Sequence, residues 1–159
     1  MSGAPDAAGR VVIYTDGGCI GNPGPGGWAA ILRYNGHEKE LTGRYRQTTN
    51  NRMELSAAIA ALSSLKRPCK VVLYSDSNYL VKGMQEWLAG WKRNNWKRKN
   101  EPVLNRDLWE ELDAVSASHE IEWVWVRGHA GNELNEACDR LAAKAIEEQR
   151  ASANYEAPR

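Results

Sequence analysis

Apolar positions follow two different periods along this chain. The run "VVIY" within Arg10 to Thr15 is continuous, Gly27 to Tyr34 carries a second apolar run, and Asn35-Gly36 marks a tight hairpin into His37 to Arg44. These segments predict an antiparallel meander of three strands. From Met53 the period changes, because Leu55, Ala58, Ile59, Leu62 and Leu65 recur at helical spacing until Pro68, which predicts an amphipathic helix. "KVVLYSD" then reads as a short strand covered on both faces, since its apolar run is unbroken. Helical spacing resumes over Ser77 to Gly90 through Leu80, Met84, Trp87 and Leu88, and over Asn105 to Ser116 through Leu108, Leu112 and Val115. "IEWVWV", Ile121 to Val126, alternates as a strand, and Glu133 to Arg150 reads as a last helix. Three strands followed by strands alternating with helices imply an α/β fold, a mixed sheet with helices packed on its faces.

The 159 residues fit one domain, able to bury roughly two-thirds of the surface of the unfolded chain. We place that domain at 10–150, with 1–9 and 151–159 as loose ends, because both ends are small, polar and without periodicity. No apolar stretch approaches ~20 residues, and "MSGAPDAAGR" lacks the charged start and apolar middle of a signal peptide. The expectation is a soluble, cytoplasmic protein without a membrane partner. Cys19, Cys69 and Cys138 are odd in number and lack zinc-ligand spacing, which argues for reduced thiols. Net charge is only +1, yet five of the eight residues in "KRNNWKRK" (Lys92 to Lys99) are basic and none is acidic, so the rest of the chain is net negative. Such a block is either a solvated face or a patch for a polyanion.

"YTDGGCIGNPGPGG", Tyr14 to Gly27, places an aspartate where the strand reads most buried. A hairpin turn capped by the aspartate is one reading. A phosphate-cradling loop is another, although the Gly-Lys-Ser/Thr ending and a following helix are missing. A metal-binding or catalytic carboxylate is the third. "YSDS" repeats the arrangement at Asp76, and if the two strands are parallel neighbours their C-terminal ends meet where open α/β sheets bind ligands. Glu54 opens the first long helix and Asp139 lies inside the last one in "NEACDRLA". Taken singly, Glu54 reads as a dipole partner of its helix and Asp139 as a solvent-facing acid. Gathered in one crevice, such acids need a bound cation, because one like-charge pair at ~4 Å costs on the order of 4 kcal/mol. Oxygen ligands without His or Cys select Mg²⁺ or Mn²⁺ over zinc, and a pair of such ions suits phosphodiester displacement.

"YTDGGCIGNPGPGG", "TTNNRMEL", "YSDS" and "GHAGNELNEACDRLA" together resemble bacterial type 1 ribonuclease H, over Val11 to Ala145. The resemblance implies a ribonuclease H-like five-stranded mixed sheet in the order 3-2-1-4-5, with helices on both faces. It implies an endonuclease that hydrolyses the RNA strand of RNA–DNA hybrids by a two-metal-ion mechanism, leaving 5′-phosphate and 3′-hydroxyl ends. The family's acidic quartet falls on Asp16, Glu54, Asp76 and Asp139, all intact, which would hold two Mg²⁺ ions with Mn²⁺ as a substitute. Its assisting histidine falls on His129, whose imidazole can move a proton near neutral pH. Substrate contact carries over to Asn22, Thr49, Asn50 and Asn51, whose small polar groups suit phosphate oxygens and the 2′-OH that separates RNA from DNA.

The basic block matches the family's basic protrusion, which adds Trp91, Lys92, Arg93, Trp96, Lys97, Arg98 and Lys99 as candidate contacts, the cations facing phosphates of the DNA strand. Trp87, Trp91 and Trp109 also suit a core role. Two departures stand out: Asn78 where close relatives often carry glutamine, and no proline after the histidine loop in "GHAGNELN". A monomer without an obligatory protein partner is expected. The rival readings are a non-catalytic hybrid- or RNA-binding module, which needs no acid cluster, and a resolvase- or transposase-type nuclease, which the protrusion and "TTNNRMEL" disfavour.

Overall fold

The computed structural model describes residues 9–127 and 132–151. Strands β1 (Val11–Cys19), β2 (Gly24–Tyr34) and β3 (His37–Thr48) form the expected meander. Asn35 (φ 50°) and Gly36 (φ 80°) both occupy the left-handed region that a two-residue hairpin of this hand requires. Helix α1 (Asn50–Ser63) follows, and β4 (Lys70–Ser75) pairs parallel to β1 with Val11 opposite Val71 and Thr15 opposite Ser75. The chain continues through α2 (Asn78–Lys82), a π turn (Gly83–Trp87), α3 (Leu88–Arg93) and a hairpin of two-residue strands, β5 (Lys97–Arg98) and β6 (Glu101–Pro102). Helix α4 (Arg106–Ser116), β7 (Glu120–Trp125) and α5 (Glu133–Ala151) complete it. The main sheet has the order β3-β2-β1-β4-β7, so the fifth strand of the anticipated 3-2-1-4-5 arrangement is β7.

Alternation along β1 and β2 divides the core between the two faces of the sheet. Val11, Ile13, Ala30 and Leu32 pack with α1, α2 and α4 around Leu55, Leu62, Leu80, Trp109 and Leu112. Val12, Tyr14, Ala29 and Ile31 pack against Cys138 and Ala142 of α5. Helix α1 departs from the amphipathic expectation: eight of its residues, Met53 to Leu62, are buried, because it lies between the sheet and α4.

Several boundaries differ from the sequence pattern: β3 runs past Arg44 to Thr48, α1 spans Asn50–Ser63 and so starts before Met53 and stops short of Leu65, and three others shift for local reasons. Strand β1 continues past Asp16 to Cys19, and β2 begins at Gly24, because the glycine-rich stretch pairs with itself, Gly18 opposite Gly27. Asp16 therefore sits inside the strand rather than after it. The helix anticipated over Ser77 to Gly90 runs on to Arg93, with the π turn beginning at Gly83, where an added Cβ would lie 2.0 Å from the Trp109 ring. The helix runs into the basic block: Lys92 and Arg93 form its last turn, where cations complement the helix dipole.

Candidate metal and nucleic-acid site

The carboxylates meet at the C-terminal edge of the parallel pair β1–β4. Thr15 opposite Ser75 sets Asp16 and Asp76 side by side. Glu54 arrives from α1, and Gly17 makes this approach possible: a Cβ there would stand 2.6 Å from the Met53 carbonyl carbon and 2.8 Å from the Glu54 nitrogen. Any side chain at 17 would push the helix off the strand. Carboxylate oxygens of Asp16, Glu54 and Asp76 all lie within 4.8 Å of one another. Asp139 comes from α5 and hydrogen-bonds Asp16 through its side chain. Small residues let α5 come this close, with Cys138 fully buried and its Sγ 3.4 Å from the carbonyl oxygens of Tyr14 and Ala29.

Asp16 and Glu54 are each only 8% exposed. Burial, then the hydrogen bond to Asp139 and the charges of Asp76 and Asp139, push the Asp16 carboxyl up to about 8. Burial also holds Glu54 well above the usual carboxylate range, with the charges of Asp16 and Asp76 adding to it. The influence that favours ionisation in both cases is the Gly17 amide, which donates to Asp16 Oδ1 at 2.9 Å; among the described residues no lysine or arginine acts on either acid. Glu54 Oε2 is buried without a hydrogen-bond partner among the described residues. An orphaned buried oxygen, facing two other carboxylates with no cation among the groups acting on it, fits a hard divalent ion, for which oxygen ligands are the normal set. Asp16, Glu54 and Asp76 are thus positioned to hold a metal, with Asp139 alongside.

The polar residues beside the crevice form one network. Asn22 Oδ1 accepts from the Asn50 N–H at 2.9 Å, and Asn50 Oδ1 accepts from the Cys19 N–H at 2.9 Å, so the β1–β2 turn is tied to the start of α1. Thr49 caps α1, its Oγ1 accepting from the Arg52 N–H at 3.2 Å, and Asn51 is half-buried in the first turn. Arg52 in turn grips Asp107 with both guanidinium nitrogens, 3.0 and 2.7 Å, which joins the start of α1 to α4. His129 lies outside the described residues.

The basic block divides by position. Arg93, Lys97, Arg98 and Lys99 are exposed and, with Trp87 and Trp91, line a groove of about 650 Å³. Lys92 pairs with Asp113 at 3.2 Å. Trp109 is fully buried, whereas Trp87 is 36% exposed and so stands at the margin of the core instead of within it. Trp91 and Trp96 are half-buried and linked ring to ring: Trp91 lies 5.2 Å from Trp109 and 6.5 Å from Trp96. Two residues that the sequence pattern did not single out also border the crevice. Trp125 Nε1 donates to the Asp76 carbonyl at 3.1 Å, and Asn132 Nδ2 donates to the Tyr14 hydroxyl at 3.0 Å. An asparagine just ahead of a helical pattern is a cap signal that could have drawn attention to Asn132; nothing in the sequence marks the Trp125 bond.

Residues 8–147 match the family described as RNase H. A ribonuclease H of Pelobacter propionicus is 62% identical over 141 residues, 88% of this chain and 86% of that protein. One from Chromobacterium violaceum is 60% identical over 140 residues, covering 87% and 95%. Among solved structures, LC9-RNase H1, a type 1 RNase H with the type 2 active-site motif, superposes with a TM-score of 0.78 at 33% identity over 91% of this chain and 82% of its own. LC11-RNase H1 in complex with an RNA/DNA hybrid gives 0.67 at 26% identity, over 87% and 98%.

Proposed function

This chain belongs to the ribonuclease H family, and from that premise we propose that it is an endonuclease hydrolysing the RNA strand of RNA–DNA hybrids with two Mg²⁺ ions held at Asp16, Glu54, Asp76 and Asp139. The observation that carries this reading is the convergence of three carboxylates within 4.8 Å, one with a buried oxygen that has no protein partner. Held by Asp16, Glu54, Asp76 and Asp139, divalent ions would supply activation of the attacking water and charge stabilisation at the departing oxygen, consistent with 5′-phosphate and 3′-hydroxyl ends. Mn²⁺, with the same preference for oxygen ligands, is the expected substitute.

The chain's own residues position the duplex around that chemistry. Asn22, Thr49, Asn50 and Asn51 face the minor groove, where the 2′-OH distinguishes the RNA strand. Arg93, Lys97, Arg98 and Lys99 neutralise phosphates of the DNA strand, with Lys92, Trp91 and Trp96 supporting that surface. His129 assists by carrying a proton as product leaves. Residues 10–150 act as one domain and the protein as a monomer in the cytoplasm; among the described residues no helix is long and apolar enough to cross a membrane.

One assay tests the assignment: labelled RNA–DNA hybrid, single-stranded RNA, RNA duplex and DNA duplex, each incubated with Mg²⁺, Mn²⁺ or EDTA. Cleavage confined to the RNA strand of the hybrid, and lost in EDTA, is the expected result. Comparable cutting of the DNA duplex, or cleavage that survives EDTA, overturns it.

A further inference from the structure

Tyr14 and Asn132 join the two elements that bring Asp16 and Asp139 together. Tyr14 lies two residues before Asp16 on β1, so both side chains belong to the face that α5 covers. It is 7% exposed and stacked on Tyr74, ring centroids 4.7 Å apart and planes within 16°. Its hydroxyl accepts a hydrogen bond from Asn132 Nδ2 at 3.0 Å. Asn132 also caps α5: its Oδ1 accepts from the Asn135 N–H at 2.9 Å and its carbonyl from the Glu136 N–H at 2.9 Å. Asp139 follows seven residues later, about two helical turns, and therefore on the same side of α5. One side chain thus fixes both where the helix starts and how close that start lies to β1.

We propose that the Tyr14–Asn132 hydrogen bond is a positioning device for the metal site, holding α5 against β1 so that Asp139 stays beside Asp16. The inference rests on the reading of the acidic crevice as the metal site. Ala142 packs on the sheet without direction and the Cys138 thiol donates weakly to the Tyr14 and Ala29 carbonyls at 3.4 Å, whereas the Tyr14–Asn132 bond fixes the start of α5, seven residues ahead of Asp139. When the tether is removed, arrangements with Asp139 displaced gain population, and apparent metal affinity falls by the fraction of molecules no longer competent. One ordinary hydrogen bond corresponds to about a three- to tenfold change.

The test is a calorimetric titration of Mn²⁺ into the wild type, Tyr14→Phe, Asn132→Ser and the double variant, with urea denaturation of each in EDTA. Phenylalanine removes only the hydroxyl. Serine still caps α5 but is too short to reach Tyr14. Each single variant should bind Mn²⁺ about three- to tenfold more weakly, and the double variant no more weakly than the worse single one, because either change removes the same bond. Affinities within twofold of wild type, even with lowered urea midpoints, would reduce the pair to a structural contact and overturn the proposal. Effects that multiply in the double variant would overturn it too. Asp139→Asn serves as the control: if it binds Mn²⁺ as the wild type does, or the wild type does not bind, the metal-site reading itself fails. If the control loses affinity and Tyr14→Phe does not, only the positioning role fails.

Discussion

Replacing Asp16 by asparagine should stabilise the metal-free protein while abolishing cleavage, and the gain should grow with pH. Burial and the neighbouring carboxylates push the Asp16 carboxyl from the ordinary 3.8 up to about 8 in the folded chain. Between those values the folded state binds the proton that the unfolded state has released, so folding stability falls as pH rises, by up to about 1.4 kcal/mol per pH unit. At pH 7 the accumulated cost reaches about 4 kcal/mol, and near pH 4 it is close to zero. Asparagine escapes this cost. Its Oδ1 can keep the Gly17 N–H bond that Asp16 accepts at 2.9 Å, and its amide can donate to Asp139. Discounted for solvent screening and relaxation of the crevice, the expected gain is about 1–3 kcal/mol at pH 7 in EDTA. Urea denaturation of both proteins at pH 5, 6, 7 and 8 measures it. Adding Mg²⁺ should reverse the order, stabilising the wild type by mass action and the variant far less. A variant that is less stable at pH 8, or a difference that is the same at pH 5 and pH 8, would show that Asp16 carries no buried charge penalty.

Neutralising Lys97, Arg98 and Lys99 together should raise KM for the hybrid and flatten its salt dependence by up to about 0.9 in log–log slope per lost phosphate contact, with kcat retained; an unchanged slope would mark the groove as a solvated face. Gly17→Ala should destabilise the fold by about 1–3 kcal/mol and weaken Mn²⁺ binding, because the new methyl meets the Met53 and Glu54 backbone at 2.6 to 2.8 Å. Denaturation and calorimetry on that variant check both effects. Trp109→Ala should cost about 3–5 kcal/mol by thermal unfolding, since the ring is fully buried and fills the space left by Gly83.

What the sequence disclosed follows from what acts locally. Asp16 and Asp76 were legible as a pair because each closes or interrupts an apolar run, and parallel pairing of those runs needs little else to bring them together. The hairpin at Asn35-Gly36 was legible for the same reason, since its turn type depends on two residues. Glu54 was harder: its place in the cluster depends on the missing side chain at Gly17, a close approach between elements thirty-odd residues apart. Asp139 depends on how α5 crosses the sheet, which is set by Cys138 and Ala142 meeting β1 and β2, so its own neighbours in sequence say nothing of it. The tryptophans show the limit most plainly. Their spacing gives Trp87, Trp91 and Trp109 equal claims to the core, yet only Trp109 is fully buried, because only it lies under the helical run at Gly83.

The chain of rings from Tyr79 through Trp109 and Trp91 to Trp96 bears on how fast a duplex is captured. An arm that must first become ordered loses binding energy to that ordering and slows docking. Here the β5–β6 hairpin leaves a helix whose aromatic residues interlock with α4, at ring separations of 5.2 Å for Tyr79–Trp109 and Trp91–Trp109. If the hairpin docks the duplex as proposed, its cations are presented on a mount already packed against the core. Association should then be governed by long-range attraction, steep in ionic strength and shallow in temperature, and the residence time of the duplex should be set by the short-range contacts near the acids.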